Sequence, residues 1–303
     1  MVPATPIDED SGMKKRMRSA AWAAVFLAPS AIPLLLFTLA PMVSSIRISL
    51  LSWNLISEPR FVGLANYAKL LASPTTATVF GNTLGYVLGY LPLVYVGGLL
   101  LALALNARIP AQGFFRAIYF LPVITSWVVV ALVWKWLLNP SNGLVNTVLG
   151  AVGLPQPGWW TDPQWALASV ILASAWKDLG FVMVILLAGL QAIPADLYEA
   201  ARIDGASGRR AFWNITLPLL TPSTFFVVVI SLINGFQVFD QVYVMTGGGP
   251  EGASQVVVGQ IYDLTFRYGR AGEAAALSWL LFAVILGVTI IQLIGQRRWV
   301  HHA

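Results

Sequence analysis

Long uncharged apolar runs alternate with short polar segments along most of this chain. Six runs stand out, over residues 20–45, 79–105, 117–138, 166–190, 220–244 and 274–295. Each is long enough for a helix to cross a hydrocarbon core of about 30 Å. None shows the strict alternation over about ten residues that marks a membrane-spanning β-strand. The pattern therefore predicts an all-α membrane protein with six transmembrane helices. Two polar connections, 139–164 and 246–255, are rich in Gly, Pro and Asn and predict turns. Trp159, Trp160 and Trp165 suit a membrane–water interface, where an amphipathic ring is favoured. Residues 256–269 read as a helix lying at the membrane face.

Composition sharpens this picture. The chain has 303 residues, of which 57% are hydrophobic and 10% charged, against about 25% charged in an ordinary globular chain. Its mean hydropathy is +0.74. Helices in lipid pack on one another, so residues 19–298 read as one six-span unit between short tails, 1–18 and 299–303. The basic cluster Lys14, Lys15, Arg16 and Arg18 precedes an uncharged run from Ser19 to Ile46. A signal peptide's apolar core is about 7–15 residues, so this longer run predicts a retained first span. The chain has no cysteine, which excludes disulfides, zinc–thiolate clusters and thiol nucleophiles. Its histidines, His301 and His302, lie at the C-terminal tip and are poor candidates for catalysis.

The net charge of +5 does not point to nucleic acid, because the basic residues lie in short groups beside oily runs. That distribution sets membrane topology instead. With the N-terminus cytoplasmic, the inner segments hold Lys14, Lys15, Arg16, Arg18, Arg108, Arg116, Arg202, Arg209, Arg210, Arg297 and Arg298. The outer segments hold only Arg47, Arg60, Lys69, Arg267 and Arg270. The bias predicts both termini in the cytoplasm.

On this topology one cytoplasmic segment is unusually polar. It reads EAARIDGASGRRAFWNITLPLL, from Glu199 to Leu220. Over 193–218 the signals are two short helices and a turn. Pro194 fits a first helical position, and Gly205 can end the first helix near Ile203 in the left-handed conformation. Ser207 can cap the second helix, and Pro218 ends or kinks it at the next span. Glu199 and Arg202 lie on neighbouring faces, and Ala200 and Ala201 allow close approach of a partner backbone.

The pattern EAARIDGA followed by LPLLTP resembles the EAA loop of bacterial ABC-importer permeases. Glu199, Ala200, Ala201, Asp204, Gly205, Ala206 and the Leu217–Pro218 pair fall at that family's spacing. FRAIYFLPVI (115–124), AGLQAIPADLYEAA (188–201) and VFDQVYVMTGGGP (238–250) are similar to carbohydrate-type permeases of the maltose, multiple-sugar and glycerol-3-phosphate importers. The resemblance spans roughly residues 20–298 and carries expectations about partners. It implies that the loop docks on a separate ATPase subunit, with Glu199 pairing a basic group there and Gly205 shaping the turn. It implies a second, non-identical permease, two ATPase subunits and an extracytoplasmic solute-binding protein, all assembled in membrane lipid. No G-x-x-x-x-G-K-[ST] phosphate loop occurs in the sequence. This chain is thus expected to bind no cofactor, with ATP and Mg on the partner ATPase.

Polar groups inside spans are costly and tend to face a cavity. The fourth run holds Trp176, Lys177 and Asp178. The fifth holds Asn234, Gln237 and Gln241, which share one face if the helix is continuous. Val238 lies on that stripe, Asp240 at its edge, and Phe236 and Phe239 on the other side. Trp176 would then have to supply the aromatic surface for a sugar ring. These groups bind a solute, or they bind one another or a neighbouring subunit; Lys177 pairing with Asp178 or Asp240 is the simplest such alternative. Ser126 and Trp127 are weaker candidates. A second class of function, an ion-gradient transporter, would usually show two matched halves with interrupted helices, and no such duplication is visible. Clustered His or paired carboxylates at metal spacing, which a membrane enzyme would need, are missing from the spans.

Overall fold

The computed structural model describes residues 9–107 and 110–299; Arg108, His301, His302 and the outer parts of both tails lie outside the described residues. The described residues are mostly helical. α1 (Glu9–Leu34) runs through a π turn into α2 (Ala40–Ser49). A two-stranded antiparallel ribbon, β1 (Leu51–Ser52) with β2 (Arg60–Phe61), pairs Leu51 with Phe61 and Ser52 with Arg60. There follow α3 (Ala65–Leu71), α4 (Pro74–Asn106), α5 (Gln112–Ile124), α6 (Trp127–Leu137), α7 (Leu144–Ala151) and α8 (Ala166–Ala192). The remainder comprises α9 (Ala195–Ile203), α10 (Gly208–Ala211), α11 (Leu217–Leu219), α12 (Thr221–Phe236), α13 (Asp240–Met245), α14 (Val257–Tyr262) and α15 (Ala271–Trp299).

Four described helices are long and apolar enough to cross a membrane: Trp22–Ser49, Pro74–Asn106, Ala166–Ala192 and Ala271–Gln296. Two bent pairs raise the number to six if each pair counts as one span. The pair α5 and α6 bends by 101°, and Gly208–Leu219 bends by 61° into α12. The expected straight helix over 117–138 is thus corrected to two pieces. Pro122 lies in the last turn of α5, where it removes a backbone donor. Thr125 and Ser126 then turn extended, at ψ 142° and 139°. The expected helix over 220–244 also breaks, after Phe236, and restarts at Asp240. Gln237 leaves the helix at φ −97° and ψ 13°, and Phe239 sits at φ −148° and ψ −64°.

The core is the pairing of α4 with α8, against which α5, α12 and α13 pack. Glycine sets the closeness of this packing, as it does between many membrane helices. A Cβ added to Gly98 would overlap the side chain of Val182, and one added to Gly180 would collide with the backbone carbonyl of Tyr119 on α5. Val94, Ala102, Val182, Met183 and Leu186 are fully buried here.

The predicted turn segments are held by side chains. Asn82 donates to the carbonyls of Gly252 and Gln255, both at 2.9 Å, and Ser254 donates to Thr246 at 2.8 Å. The helix expected over 256–269 forms as α14 and a following π turn, Asp263–Arg267. The ring of Trp159, expected at the membrane–water interface, is enclosed by the protein, and its indole N–H donates to Asn146 at 2.6 Å. Trp160 also turns inward, donating to the carbonyl of Lys135 at 3.2 Å, with the Lys135 ammonium 4.8 Å from its ring centre.

Candidate functional site

Among the described residues, two of the places that bring polar groups together bear on the sequence-predicted sites: a cavity at the break between α12 and α13, and the exposed segment from α9 to α11.

The cavity measures about 250 Å³. Its walls come from five helices. α4 supplies Tyr86 and Tyr90, α6 supplies Trp127, α8 supplies Asp178, and α12 with the break and α13 supplies Asn234 and Gln237 through Gln241. An unwound stretch is tolerated at membrane depth only where it is buried in protein or lines a cavity, and this break does the latter.

Hydrogen bonds fix one wall. Tyr90 donates to Asp178 at 2.7 Å, and Gln241 donates at 3.3 Å to both Tyr86 and Ser174. Tyr86 and Tyr90, one helical turn apart on α4, stack with ring centres at 5.5 Å and planes 10° apart. Gln241 is buried, so its amide is committed to this network, whereas Asn234, Gln237 and Asp240 are exposed.

Of the seven sequence-chosen pathway residues, five line the cavity: Asp178, Asn234, Gln237, Asp240 and Gln241. Their meeting does not come from one continuous helix face, as expected, because the helix ends between Asn234 and Gln241. Unwinding also brings Phe239, expected on the opposite side, into the lining. Trp176 and Lys177 are not among the lining residues. Trp176 is 44% exposed and meets Trp134 edge-on at 5.8 Å. Lys177 is buried, donates to the carbonyl of Val123 at 2.9 Å, and holds its ammonium 4.6 Å from the Trp127 ring centre. That carbonyl belongs to the last turn of α5, where helix geometry leaves acceptors without partners and favours a cation. Lys177 therefore braces the 101° bend and packs its ammonium on the Trp127 ring. Trp127, Phe239 and Tyr86 carry the aromatic surface that Trp176 was expected to supply. Tyr86 and Tyr90 were missed by sequence reasoning, although hydroxyls four residues apart in an apolar run were a visible signal.

The second place is built from local signals. α9 ends in a Schellman motif: the Ala206 N–H donates to the Ala201 carbonyl at 2.8 Å and the Gly205 N–H to Arg202 at 3.1 Å. Gly205 has φ +74°, the left-handed region that glycine enters at little cost. Ser207 then caps α10, its hydroxyl accepting from the Arg210 N–H at 3.3 Å. Pro194 sits one position earlier than expected, as the N-cap at ψ 131°. Tyr198 and Thr216 share a hydrogen bond of 2.9 Å, tying α9 to the turn before α11. Leu217 and Pro218 open α11, and Leu220 behind them is fully buried. Glu199, Ala200, Arg202, Asp204 and Gly205 are exposed, and Ile203 is 87% exposed. Ala201 and Ala206 are half-buried.

A helical membrane fold with a polar cavity at a broken helix and an exposed two-helix segment defines a membrane-transport subunit. The family described as binding-protein-dependent transport system inner membrane component matches residues 94–300, more than half of the chain, and the chain belongs to it. It is thus a multi-pass inner-membrane component of an ABC transporter, and the ion-gradient alternative falls. Among its relatives is the trehalose/maltose transport system permease protein MalF of Thermococcus litoralis, 36% identical over 297 residues, covering 96% of this chain and 99% of that protein. The probable ABC transporter permease protein YurN of Bacillus subtilis is 35% identical, covering 89% of this chain and 94% of that protein. Among solved structures, a bacterial alginate ABC transporter in complex with alginate pentasaccharide-bound periplasmic protein aligns with TM-score 0.82 and 26% identity. The alignment covers 94% of this chain and 96% of the other.

Proposed function

We propose that this chain forms half of the translocation pathway of a binding-protein-dependent importer for a sugar, an oligosaccharide or a glycerol-phosphate-type solute. The observation that carries the reading is the cavity of about 250 Å³ where α12 unwinds into α13. Its carboxylates and amides supply acceptors and donors for hydroxyl groups, and Trp127 and Phe239 supply flat apolar faces for ring C–H groups. Named relatives support sugar-type cargo. In this reading each bent pair is one span, giving six, with both termini in the cytoplasm as the lysine and arginine bias predicts.

The 193–218 segment then faces the ATPase. Glu199, Ala200, Ala201 and Arg202 present the docking surface, and exposed Ile203 adds apolar area to it. Asp204, Gly205 and Ala206 form the turn, and Leu217–Pro218 joins the segment to the following span. ATP and Mg are held by two ATPase subunits, a second, non-identical permease completes the pathway, and a solute-binding protein delivers cargo from outside.

The test is uptake by Asn234→Leu and Gln237→Leu, each assayed in the assembled importer at matched expression. A fall of about twofold to tenfold is expected from each, since one lost hydrogen bond between uncharged groups is worth about 0.5–1.5 kcal/mol. Uptake at the unmodified rate in both variants rejects the cavity as the pathway.

A further inference from the structure

We infer that the solute passing through this cavity carries no negative charge. The inference rests on the importer reading and narrows it, because relatives of this chain have names for both uncharged cargo, trehalose and maltose, and the acidic polysaccharide alginate.

The cavity holds two carboxylates, Asp178 and Asp240, and no lysine, arginine or histidine among its described lining residues. The basic residue next in sequence to Asp178 is Lys177, and it is only 4% exposed. Its ammonium is committed to the Val123 carbonyl and the Trp127 ring. Phosphate, sulfonate and uronate groups are bound by arginine, lysine or converging N–H donors. Here such a group would meet the like charge of Asp178 and Asp240, with no cation among the described lining residues to offset it.

An uncharged polyol fits the same chemistry. Tyr90 occupies one oxygen of Asp178. The other oxygen and both oxygens of Asp240 accept from sugar hydroxyls, and hydrogen bonds to a carboxylate are the stronger kind. Asn234 and Gln237, both exposed, offer donors as well as acceptors. Trp127 and Phe239 complete a surface suited to a ring with one apolar face.

The experiment uses the complete importer in proteoliposomes, with its own binding protein. That protein is loaded in turn with trehalose, maltose, maltotriose, glycerol-3-phosphate, digalacturonate and whatever solute copurifies with it, whose charge is read by mass spectrometry. ATP hydrolysis and uptake are measured at equal occupancy of the binding protein. The expected result is an uncharged transported solute, with anionic members moved at least tenfold more slowly. Asp240→Asn and Asp178→Asn should narrow that gap while leaving ATP hydrolysis responsive to the loaded binding protein. A copurifying solute that bears phosphate, sulfonate or carboxylate and is taken up overturns the inference while leaving the importer reading intact. ATP hydrolysis that responds to no loaded binding protein overturns the importer reading itself, and the inference with it.

Discussion

The Tyr90 hydroxyl, on α4, donates to the carboxylate of Asp178, on α8, at 2.7 Å. The bond joins the two central helices at the wall of the cavity, and in the proposed pathway it leaves the other Asp178 oxygen for a solute. Tyr90→Phe keeps the ring and its stacking on Tyr86 but removes the donor. A hydrogen bond to a charged group is worth about 1.5–3 kcal/mol. The variant should therefore melt several degrees lower in detergent and show a raised KM for uptake. An unchanged melting temperature together with an unchanged KM would contradict this role.

Lys177 is expected to be structural. Lys177→Met keeps much of the apolar stem and removes the ammonium that the Val123 carbonyl accepts from. Leaving that carbonyl without its donor costs about 1–3 kcal/mol, so the thermal midpoint of the purified complex should fall. The preference among transported solutes should stay as it was. A change of preference with no loss of stability would return Lys177 to the pathway.

Gly205 separates backbone need from surface chemistry. At φ +74°, Gly205→Ala places a Cβ in the left-handed region, at a cost of about 1–2 kcal/mol. Nothing lies within 4 Å of that added atom, so the cost is conformational and not steric crowding. Gly205→Asn, which tolerates the left-handed region better, should retain more ATPase co-purification than Gly205→Ala. Equal recovery for the two variants would remove the turn from the coupling argument.

Glu199 tests the docking surface directly. It is exposed, so Glu199→Ala should leave the fold of this chain intact. Uptake should drop at least tenfold, through weaker subunit association or through ATP hydrolysis no longer tied to transport. Wild-type uptake combined with full co-purification of the ATPase would be falsifying.

How much of this was legible in the sequence depended on the range of the forces involved. Where the helical runs lie followed from run length and composition, because lipid leaves few alternatives to a helix, but the breaks inside 117–138 and 220–244 did not. The α9 to α10 turn was legible in detail, since Gly205 and Ser207 act on backbone groups within a few residues of themselves. The break after Phe236 was not. Residues 237–239 contain neither proline nor glycine. The nearby Gly235 instead lets α12 press against Val87 and Tyr90 of α4, a Cβ there falling 3.0 Å from Val87. That contact is tertiary, and no periodicity in 220–244 reports it. The misplacement of Phe239 followed from assuming a continuous helix. The burial of Trp159 was not legible for a related reason: its N–H is accepted by Asn146, thirteen residues earlier.

The break after α12 has a consequence for how such a chain can diversify. Five of the cavity's lining positions are consecutive, Gln237 to Gln241, with Asn234 one turn before them. The segment proposed to meet the motor ends before α12 begins. On the proposed reading, changes confined to this one short stretch of gene would reshape what the cavity holds while leaving the segment proposed to meet the motor unaltered.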